Sequence, residues 1–364
     1  MDLVKLGWNS FFEKSFDELG SEQYYKARVA VQNRNNYSLF TESGEITGEI
    51  SGKFRFQIEN DFEGKTDIPA VGDWVYFKRV NNENRGIIDG VLKRKNKFSR
   101  KEAGEKTKEQ VVAANVDVIF LMNSLNLDLN LRRIERYLTL ILESDIKPVI
   151  LLSKSDLSDN PEEAIENVRS IAMGFDVFSL SVKTGDGVDK LMSYFDGNKT
   201  IAMLGSSGVG KSSLINHLAG SELFITNDLS TYRDKGKHTT TFRELVMLES
   251  GGCIIDTPGM RELQLWEGSE GLNEAFDDIE ELALKCKFSD CKHQNEPGCA
   301  IREAIENGTL ETKRLVSYKK LQNEIKFFAA KLDKKKAEEE KKVRKKITKD
   351  QKNSYKNGSG KFRQ

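Results

Sequence analysis

The chain has 364 residues, of which 38% are hydrophobic and 31% charged, and its formal net charge is zero. That length is sufficient for two or three domains, each with a core of its own. The chain has no run of about eighteen apolar residues, and its N-terminal stretch carries acidic residues and has no clear apolar core. A membrane span and a secretory signal are therefore not expected, and the predicted compartment is the cytoplasm.

The neutral total conceals an uneven distribution of charge. Residues 319–364 contain 17 Lys and Arg against 6 Asp and Glu, so the first 318 residues carry 40 basic and 51 acidic side chains. A basic tail on an acidic body favours contact with a polyanion. A solvated, lysine-rich helix that only maintains solubility would have the same composition.

The N-terminal part of the chain predicts a helical extension over residues 1–23 and a β-barrel over residues 24–110. In the extension, apolar residues recur at helical spacing. Five strands in about 75 residues suit an OB-fold, although an SH3-like barrel would have a similar pattern. The runs that predict these strands are YKARVAVQN, YSLFTES, GEITGEISGKFRFQI, AVGDWVYFKRV and RGIIDGVLKRK, separated by Gly, Asn and Asp.

Residues 111–266 have the pattern of a doubly wound α/β domain. NVDVIFLMN and KPVILLSK are continuous apolar runs, typical of parallel strands covered on both faces, with a helical period between them. The strands DVFSLS and TIAMLG follow, alternating with helices predicted at 161–173, at 187–195 and from Lys211. Beyond this domain, the sequence predicts a helical segment with a cysteine cluster (267–332) and a lysine-rich tail (333–364).

A phosphate-binding loop follows the strand TIAMLG. Its glycines allow backbone N–H groups to point at phosphates beside a helix N-terminus. Lys211 is expected to reach the β and γ phosphates, and the Ser212 hydroxyl to bind Mg²⁺. A chance glycine turn is the alternative. The residues predicted to contact the nucleotide here are Gly205, Ser206, Ser207, Gly208, Val209, Gly210, Lys211, Ser212 and Ser213, of which the first eight match GxxxxGK[ST].

The sequence GGCIIDTPGM places a second phosphate-sensing element after an apolar strand. Asp256 at the end of this strand is expected to hold Mg²⁺ through water, and the N–H of Gly259 to sense the γ-phosphate. Cys253, within the strand, is expected to be a buried core residue.

Two further sequence elements indicate which base the nucleotide carries. Guanine-specific proteins use [NT]KxD, whose Asp accepts hydrogen bonds from guanine N1 and N2, and a SAK loop whose backbone contacts O6. Ser153, Lys154, Ser155 and Asp156 end the run PVILLSK and resemble the first element; Ser181, Val182 and Lys183 resemble the second. The K-x-D that follows the phosphate loop, Lys331–Asp333, has no strand before it.

Both base-recognition elements therefore precede the phosphate loop, the reverse of the usual order. A circularly permuted GTPase domain explains this, because a sheet can keep its strands in place while the chain enters it at a different point. Adenine remains an alternative, because Ser153 replaces the usual Asn or Thr and a shorter side chain would tether the loop less well.

A compact cluster of metal-binding residues follows the α/β domain. Cys286, Cys291, His293 and Cys299 lie within fourteen residues. In a cytosolic chain such clustering favours Zn²⁺ over a disulfide, and four protein ligands indicate one structural zinc ion.

With these elements in this order, the chain resembles the ribosome small-subunit-dependent GTPase A family. Further matches are PAVGDWV (69–75), AANVD (113–117) and GKHTTTFREL (236–245). The resemblance implies an OB-fold, a permuted GTPase core and a zinc domain. It also implies binding to the small ribosomal subunit and its rRNA late in maturation, with GTP hydrolysis stimulated by that subunit. Ser153, the long tail and the N-terminal stretch depart from the family pattern.

The catalytic candidates are Lys211, Thr240 and His238. Thr240, with Thr241 as the alternative, is expected to close over Mg²⁺ and the γ-phosphate. Met260 stands where Ras-like enzymes have a Gln that orients the attacking water. His238 is then the candidate that positions the water, and the family pattern has a histidine there; a histidine that only packs or touches RNA is the alternative.

Two other functions are compatible with the sequence. One is an RNA-binding protein in which GTP is only a conformational latch, and the other is a GTP-dependent regulator of a non-RNA partner. No feature suggests a dimer surface, so a monomer is expected, without a membrane or DNA partner.

Overall fold

The computed structural model describes residues 1–33, 36–61, 67–80, 83–101, 109–125, 129–172, 174–224, 243–257, 270–323 and 325–326. Across these ranges, no helix is both long and apolar enough to cross a membrane. The strands are β1 Tyr25–Gln32, β2 Tyr37–Thr41, β3 Gly44–Ile50, β4 Trp74–Arg79, β5 Arg85–Val91, β6 Lys97–Lys101, β7 Glu109–Ala114, β8 Val118–Ser124, β9 Lys147–Ser153, β10 Val177–Ser179, β11 Thr200–Gly205, β12 Glu244–Met247 and β13 Cys253–Asp256. The α-helices are α1 Ser10–Asp17, α2 Gly52–Asn60, α3 Leu131–Leu142, α4 Pro161–Ala172, α5 Lys211–Ala219, α6 Glu270–Ala275, α7 Asp277–Ala283 and α8 Ala300–Glu306, and residues 312–323 are helical as well.

The N-terminal strands form the predicted five-stranded barrel. They follow the order β1-β2-β3-β5-β4, and pairing between β1 and β4 closes the barrel. β3 and β5 are parallel, whereas the other neighbours are antiparallel. Val29, Leu39, Phe77 and Ile88 are each fully buried in its core. This strand order, with the parallel β3–β5 pair and closure by β1 and β4, fits the predicted five-stranded barrel of the OB-fold.

The third predicted strand is wrong in its second half, because β3 ends at Ile50 and the run GKFRFQI belongs to α2. The Ser51 side chain accepts a hydrogen bond from the Phe54 backbone N–H at 3.1 Å and caps this helix. Phe54 and Ile58, four residues apart, pack on the barrel core, while Phe56 is 68% exposed. In this run Phe and polar residues alternate, which fits the two-residue period of a strand as well as a helix. The alternation alone therefore led to the wrong prediction.

The second half of the large sheet has the order β10-β9-β8-β11-β13-β12. All neighbours are parallel except β12, which pairs antiparallel with β13. Buried side chains of α3 and α4 belong to the core on one face, and those of α5 to the core on the other. The predicted doubly wound α/β domain is therefore confirmed. The helix predicted at 187–195 is a 3₁₀ helix, Asp189–Phe195.

The barrel and the α/β domain share one eleven-stranded sheet, because β1 also pairs with β12 through Val31 and Glu244. β6 and β7 form a separate hairpin. The C-terminal helices pack on α3, where Arg314 donates to Glu135 at 3.1 Å and makes a two-point ion pair with Asp278 at 2.6 and 2.8 Å. Glu135 also accepts from Ser317 at 2.7 Å, so a buried polar network anchors the cysteine-containing segment to the α/β domain.

Candidate nucleotide and metal sites

The phosphate loop connects the end of β11 to the start of α5. Gly208 and Gly210 have φ values of 82° and 99°, in the left-handed region that favours glycine. A Cβ at Gly205 would lie 2.5 Å from the Met122 carbonyl oxygen, so only glycine permits this close approach. Lys211 is 8% exposed, and its Nζ donates to the carbonyl oxygens of Gly205 at 2.8 Å and Ser206 at 2.9 Å. The ammonium group is thus hydrogen-bonded to the loop that is predicted to bind the phosphates.

Asp256 ends β13 beside this loop and has the chemistry expected of an Mg²⁺ site. Its backbone pairs in register with Met203 of β11. The side chain is 2% exposed, and within the described ranges its Oδ1 has no hydrogen-bond partner. Burial raises the pKa of this carboxyl, and the positive charge of Lys211 opposes the shift. A buried carboxylate oxygen without a donor, together with the partly exposed Ser212, fits a hydrated Mg²⁺ ion.

The base-recognition segment 153–156 lies at the same edge of the sheet as the phosphate loop. Ser153 is buried, with 2% of its surface exposed. Its hydroxyl oxygen lies 2.7 Å from the Val209 carbonyl oxygen and 3.3 Å from the Asn123 carbonyl oxygen. A hydroxyl has one hydrogen, and the shorter distance assigns it to Val209. Ser153 thus tethers the segment directly to the phosphate loop despite its short side chain.

The two predicted base-recognition elements also meet each other. The Ser181 hydroxyl donates to Asp156 Oδ1 at 2.7 Å, and the Ser155 N–H donates to the Leu180 carbonyl at 3.2 Å. Lys154 has φ of 59°, an uncommon left-handed conformation for a lysine. Asp156 and Lys183 are exposed, whereas Val182 is half-buried. The Asp156 carboxylate is therefore oriented by Ser181 and still accessible to a ligand.

Sequence reasoning missed Asn123, whose carbonyl is the second neighbour of the Ser153 hydroxyl. Asn123 and Ser124 are buried at the end of β8, between β9 and β11. A signal was present, because two polar residues interrupt the apolar run VIFLM where a parallel strand ends. The remaining predicted residues, His238, Thr240, Thr241, Gly259 and Met260, lie outside the described residues, as do Lys331–Asp333 and the tail 333–364.

Cys286, Cys291, His293 and Cys299 converge into one cluster, with their ligand atoms all within 4.8 Å of one another. The Sγ of Cys286 lies 3.9 Å from that of Cys299, and His293 Nδ1 lies 3.6 and 3.5 Å from these two sulfurs. For Zn–S bonds of about 2.3 Å and Zn–N bonds of about 2.0 Å, a tetrahedron has edges of about 3.8 and 3.5 Å. The four groups can therefore hold a tetrahedral metal ion.

Neighbouring groups hold the loop that carries these ligands. Lys319 Nζ donates to the carbonyl oxygens of Lys292 and His293 at 2.9 and 3.2 Å. The Glu296 carboxylate accepts backbone hydrogen bonds from Lys292, Gln294 and Asn295. These backbone donors lower the pKa of Glu296 to about 2. Cys253 lies elsewhere, fully buried in β13, where burial raises its pKa to about 11.

The sequence of the chain matches a known protein family. The model of the RsgA GTPase family matches residues 91–266. The chain is 43% identical over 343 residues to the small ribosomal subunit biogenesis GTPase RsgA of Opitutus terrae, covering 92% of each chain. The chain belongs to the RsgA GTPase family. Another RsgA protein, from Vibrio parahaemolyticus, is 42% identical and covers 92% of this chain and 89% of its own.

Solved structures similar to this RsgA-family chain have the same architecture. YjeQ from Thermotoga maritima covers 83% of the chain and 98% of its own, with 28% identity and a TM-score of 0.59. YloQ, described as a circularly permuted GTPase, covers 84% of the chain with 26% identity and a TM-score of 0.57. A family model described as a 50S ribosome-binding GTPase matches residues 200–349. The chain is therefore a GTPase with a circularly permuted domain, as the order of its sequence elements predicted.

Proposed function

We propose that this GTPase acts in late maturation of the small ribosomal subunit, hydrolysing GTP to GDP and phosphate when that subunit stimulates it. The observation that carries the nucleotide assignment is the 2.7 Å bond from Ser153 to Val209. It joins a base-recognition segment that precedes the phosphate loop in sequence to the loop itself. The names of the RsgA relatives support the subunit as the partner.

The site residues then have complementary tasks. Asp156 accepts from guanine N1 and N2, with Ser181 orienting it, and the backbone of 181–183 approaches O6. Backbone N–H groups of residues 205–213 surround the phosphates, while Lys211 neutralises charge on the β and γ groups. Ser212, Thr240 and Asp256 hold Mg²⁺, which supplies charge neutralisation at the phosphates. His238 positions the attacking water, since Met260 cannot, and the Gly259 N–H senses the γ-phosphate.

The metal of the cysteine cluster is Zn²⁺ with a structural role. Three thiolates and one imidazole at tetrahedral spacing match the preference of zinc and leave no ligand position open for chemistry. Metal analysis of the purified protein should give one zinc per chain. Cys291→Ser should lower that ratio and the stability of the C-terminal segment while GTP binding remains; retention of one zinc per chain in this variant would contradict the assignment.

The remaining parts supply the contacts with rRNA in the cytoplasm. The domains are an N-terminal extension (1–23), the barrel (24–110), the GTPase domain (111–266), the zinc domain (267–332) and the basic tail (333–364). The barrel forms one RNA surface, and the zinc domain with the tail forms another. The protein acts as a monomer, without a DNA or membrane partner.

The test is the rate of GTP hydrolysis at fixed salt, measured alone and with purified small subunits, with large subunits and ATP as controls. We expect a slow intrinsic rate that only small subunits raise. Stimulation should fall steeply with salt, because RNA contacts release counterions. GTP binding without stimulation by small subunits would contradict the proposal and favour a latch or a different partner.

A further inference from the structure

The barrel is joined to the GTPase sheet at the hairpin β12–β13. Val31 of β1 pairs with Glu244, the first residue of β12, and Glu244 pairs across the hairpin with Asp256. The barrel strand is therefore one strand away from the carboxylate proposed to hold Mg²⁺. β12 also begins directly after the segment that contains His238 and Thr240. A displacement of β1 relative to the sheet would therefore act on Glu244 and, across the hairpin, on Asp256.

The N-terminal segment is hydrogen-bonded to the turn between β12 and β13. The Gly252 N–H donates to the Lys5 carbonyl oxygen at 3.0 Å, and Lys5 Nζ donates to the Glu249 carbonyl oxygen at 3.1 Å. Leu3, Leu6 and Trp8 are buried, and the Trp8 ring contacts that of Trp74 in the barrel at 4.6 Å. Residues 3–8 thus contact both the barrel and the turn between β12 and β13.

Arg28 of β1 joins three parts of the chain at the same place. Its guanidinium donates to the carbonyl oxygens of Leu6, Gly72 (3.2 Å) and Asn115 (3.3 Å). These belong to the N-terminal segment, the loop before β4 and the connection from β7 to β8. The side chain is 1% exposed and lies over the Trp74 ring at 5.5 Å. A buried guanidinium with carbonyl partners in three segments holds these segments in one arrangement. Moving any of them away would leave a buried N–H of a charged group without an acceptor, which is costly.

We propose that residues 3–8 and Arg28 form an N-terminal clamp that transmits docking of RNA on the barrel to the hairpin β12–β13. When RNA docks on the barrel, the clamp passes the resulting displacement through the hairpin to Asp256 and the start of β12, and so couples docking to hydrolysis at the proposed site. This inference rests on the proposed function. Coupling between two sites is reciprocal, so the clamp also makes the affinity for the subunit depend on the bound nucleotide.

Two glycine variants test the clamp. Gly7 and Gly20 both have positive φ, 89° and 60°, so alanine strains the backbone at either position. At Gly7 the new Cβ would lie 2.8 Å from Arg28 Nη1 and 3.3 Å from the Asn198 carbonyl oxygen. At Gly20 it would meet nothing within 4 Å. Gly7→Ala therefore disturbs the clamp, and Gly20→Ala is the matched control.

Two ratios are measured for each variant: stimulated over intrinsic hydrolysis, and the subunit Kd with GDP over that with a non-hydrolysable GTP analogue. In Gly7→Ala both ratios should fall by about fivefold or more, while intrinsic hydrolysis and GDP affinity remain. Gly20→Ala should retain both ratios. A role limited to stability would lower the melting temperature of both variants and change neither ratio.

Trp8→Leu provides a second perturbation if Gly7→Ala does not fold, because it removes the contact with Trp74 while keeping an apolar side chain. The clamp is refuted if wild type is stimulated by small subunits and the folded clamp variant keeps both ratios. Wild type without any stimulation would instead refute the proposed function, and the clamp with it. These two failures are distinguished by the wild-type measurement alone.

Discussion

Ser153→Ala is the substitution that most directly tests how the nucleotide site is assembled. The hydroxyl bonds the Val209 carbonyl at 2.7 Å in surroundings where the residue is 2% exposed. Removing it leaves a carbonyl oxygen of the phosphate loop without this donor. A buried acceptor left unsatisfied costs about 1–3 kcal/mol, which corresponds to about 5- to 150-fold in an equilibrium constant.

Part of that free energy is lost from the folded protein itself, since the bond is present without nucleotide. We therefore expect the affinity for GDP to fall about tenfold, near the lower end of the range, together with a lower melting temperature. Stopped-flow measurement of fluorescent GDP should show faster dissociation. Ser153→Asn should restore affinity, because its amide can also donate to Val209.

Ser170→Ala is the matched control, since the exposed Ser170 hydroxyl bonds only within α4, to the Asn167 carbonyl at 2.8 Å, among the contacts of the described residues. It should leave GDP dissociation unchanged. If Ser153→Ala releases GDP at the wild-type rate, the tether does not order the site and the reasoning is refuted.

Three further predictions concern catalysis, packing and pH. His238→Ala should lower subunit-stimulated turnover and leave nucleotide affinity intact; equal losses of binding and turnover would contradict the role of His238 in positioning water. Gly271→Ala would place a Cβ 2.5 Å from Glu143 Cγ and 2.7 Å from the Glu143 backbone nitrogen. Thermal unfolding should show a loss of about 1–3 kcal/mol from this overpacking, whereas Gly52→Ala, whose Cβ meets nothing within 4 Å, should be near neutral. Burial raises the pKa of Glu143 from 4.5 to about 8, so the folded state favours the protonated carboxyl, and its stabilising contribution is lost as pH rises through that range. Glu143→Gln should therefore gain stability over wild type between about pH 5 and about pH 9, by about 1–2 kcal/mol after allowance for solvent screening; an advantage that is constant with pH would contradict the shift.

Local patterns predicted much of the nucleotide site. The strand and helix on either side of the predicted phosphate loop, and the strand that ends at Asp256, lie where the pattern predicted them, because each depends on residues adjacent in sequence. The order of base recognition before the phosphate loop predicted the permutation, since that inference needs only the sequence of elements. The cluster of metal-binding residues could be predicted for the same reason, because all four lie within residues 286–299.

Long-range contacts were beyond the sequence pattern. Pairing of β1 with β12 joins residues 31 and 244, and no periodicity specifies which strand covers an edge. The hydrogen-bond partners of Arg28 could not be predicted either. They are the backbone carbonyls of Leu6, Gly72 and Asn115, and a backbone carbonyl has no sequence signature. Ser153 looked too short for its task, because the distance to Val209 depends on how closely two loops pack.

Substitution of Asp156 tests the central claim, that guanine is recognised by residues preceding the phosphate loop in a GTPase stimulated by small subunits. Guanine offers N–H groups at positions 1 and 2, whereas xanthine has a carbonyl oxygen at position 2. Asp156→Asn replaces one acceptor with an NH₂ donor, which suits xanthine, and its remaining oxygen can still accept from Ser181.

The measurement is hydrolysis of GTP and of xanthosine triphosphate by this variant, each with and without small subunits. We predict that stimulated GTP turnover at limiting substrate falls on the order of 10²-fold or more, while xanthosine triphosphate becomes a substrate that small subunits stimulate. Unchanged preference for GTP in the variant would contradict the account.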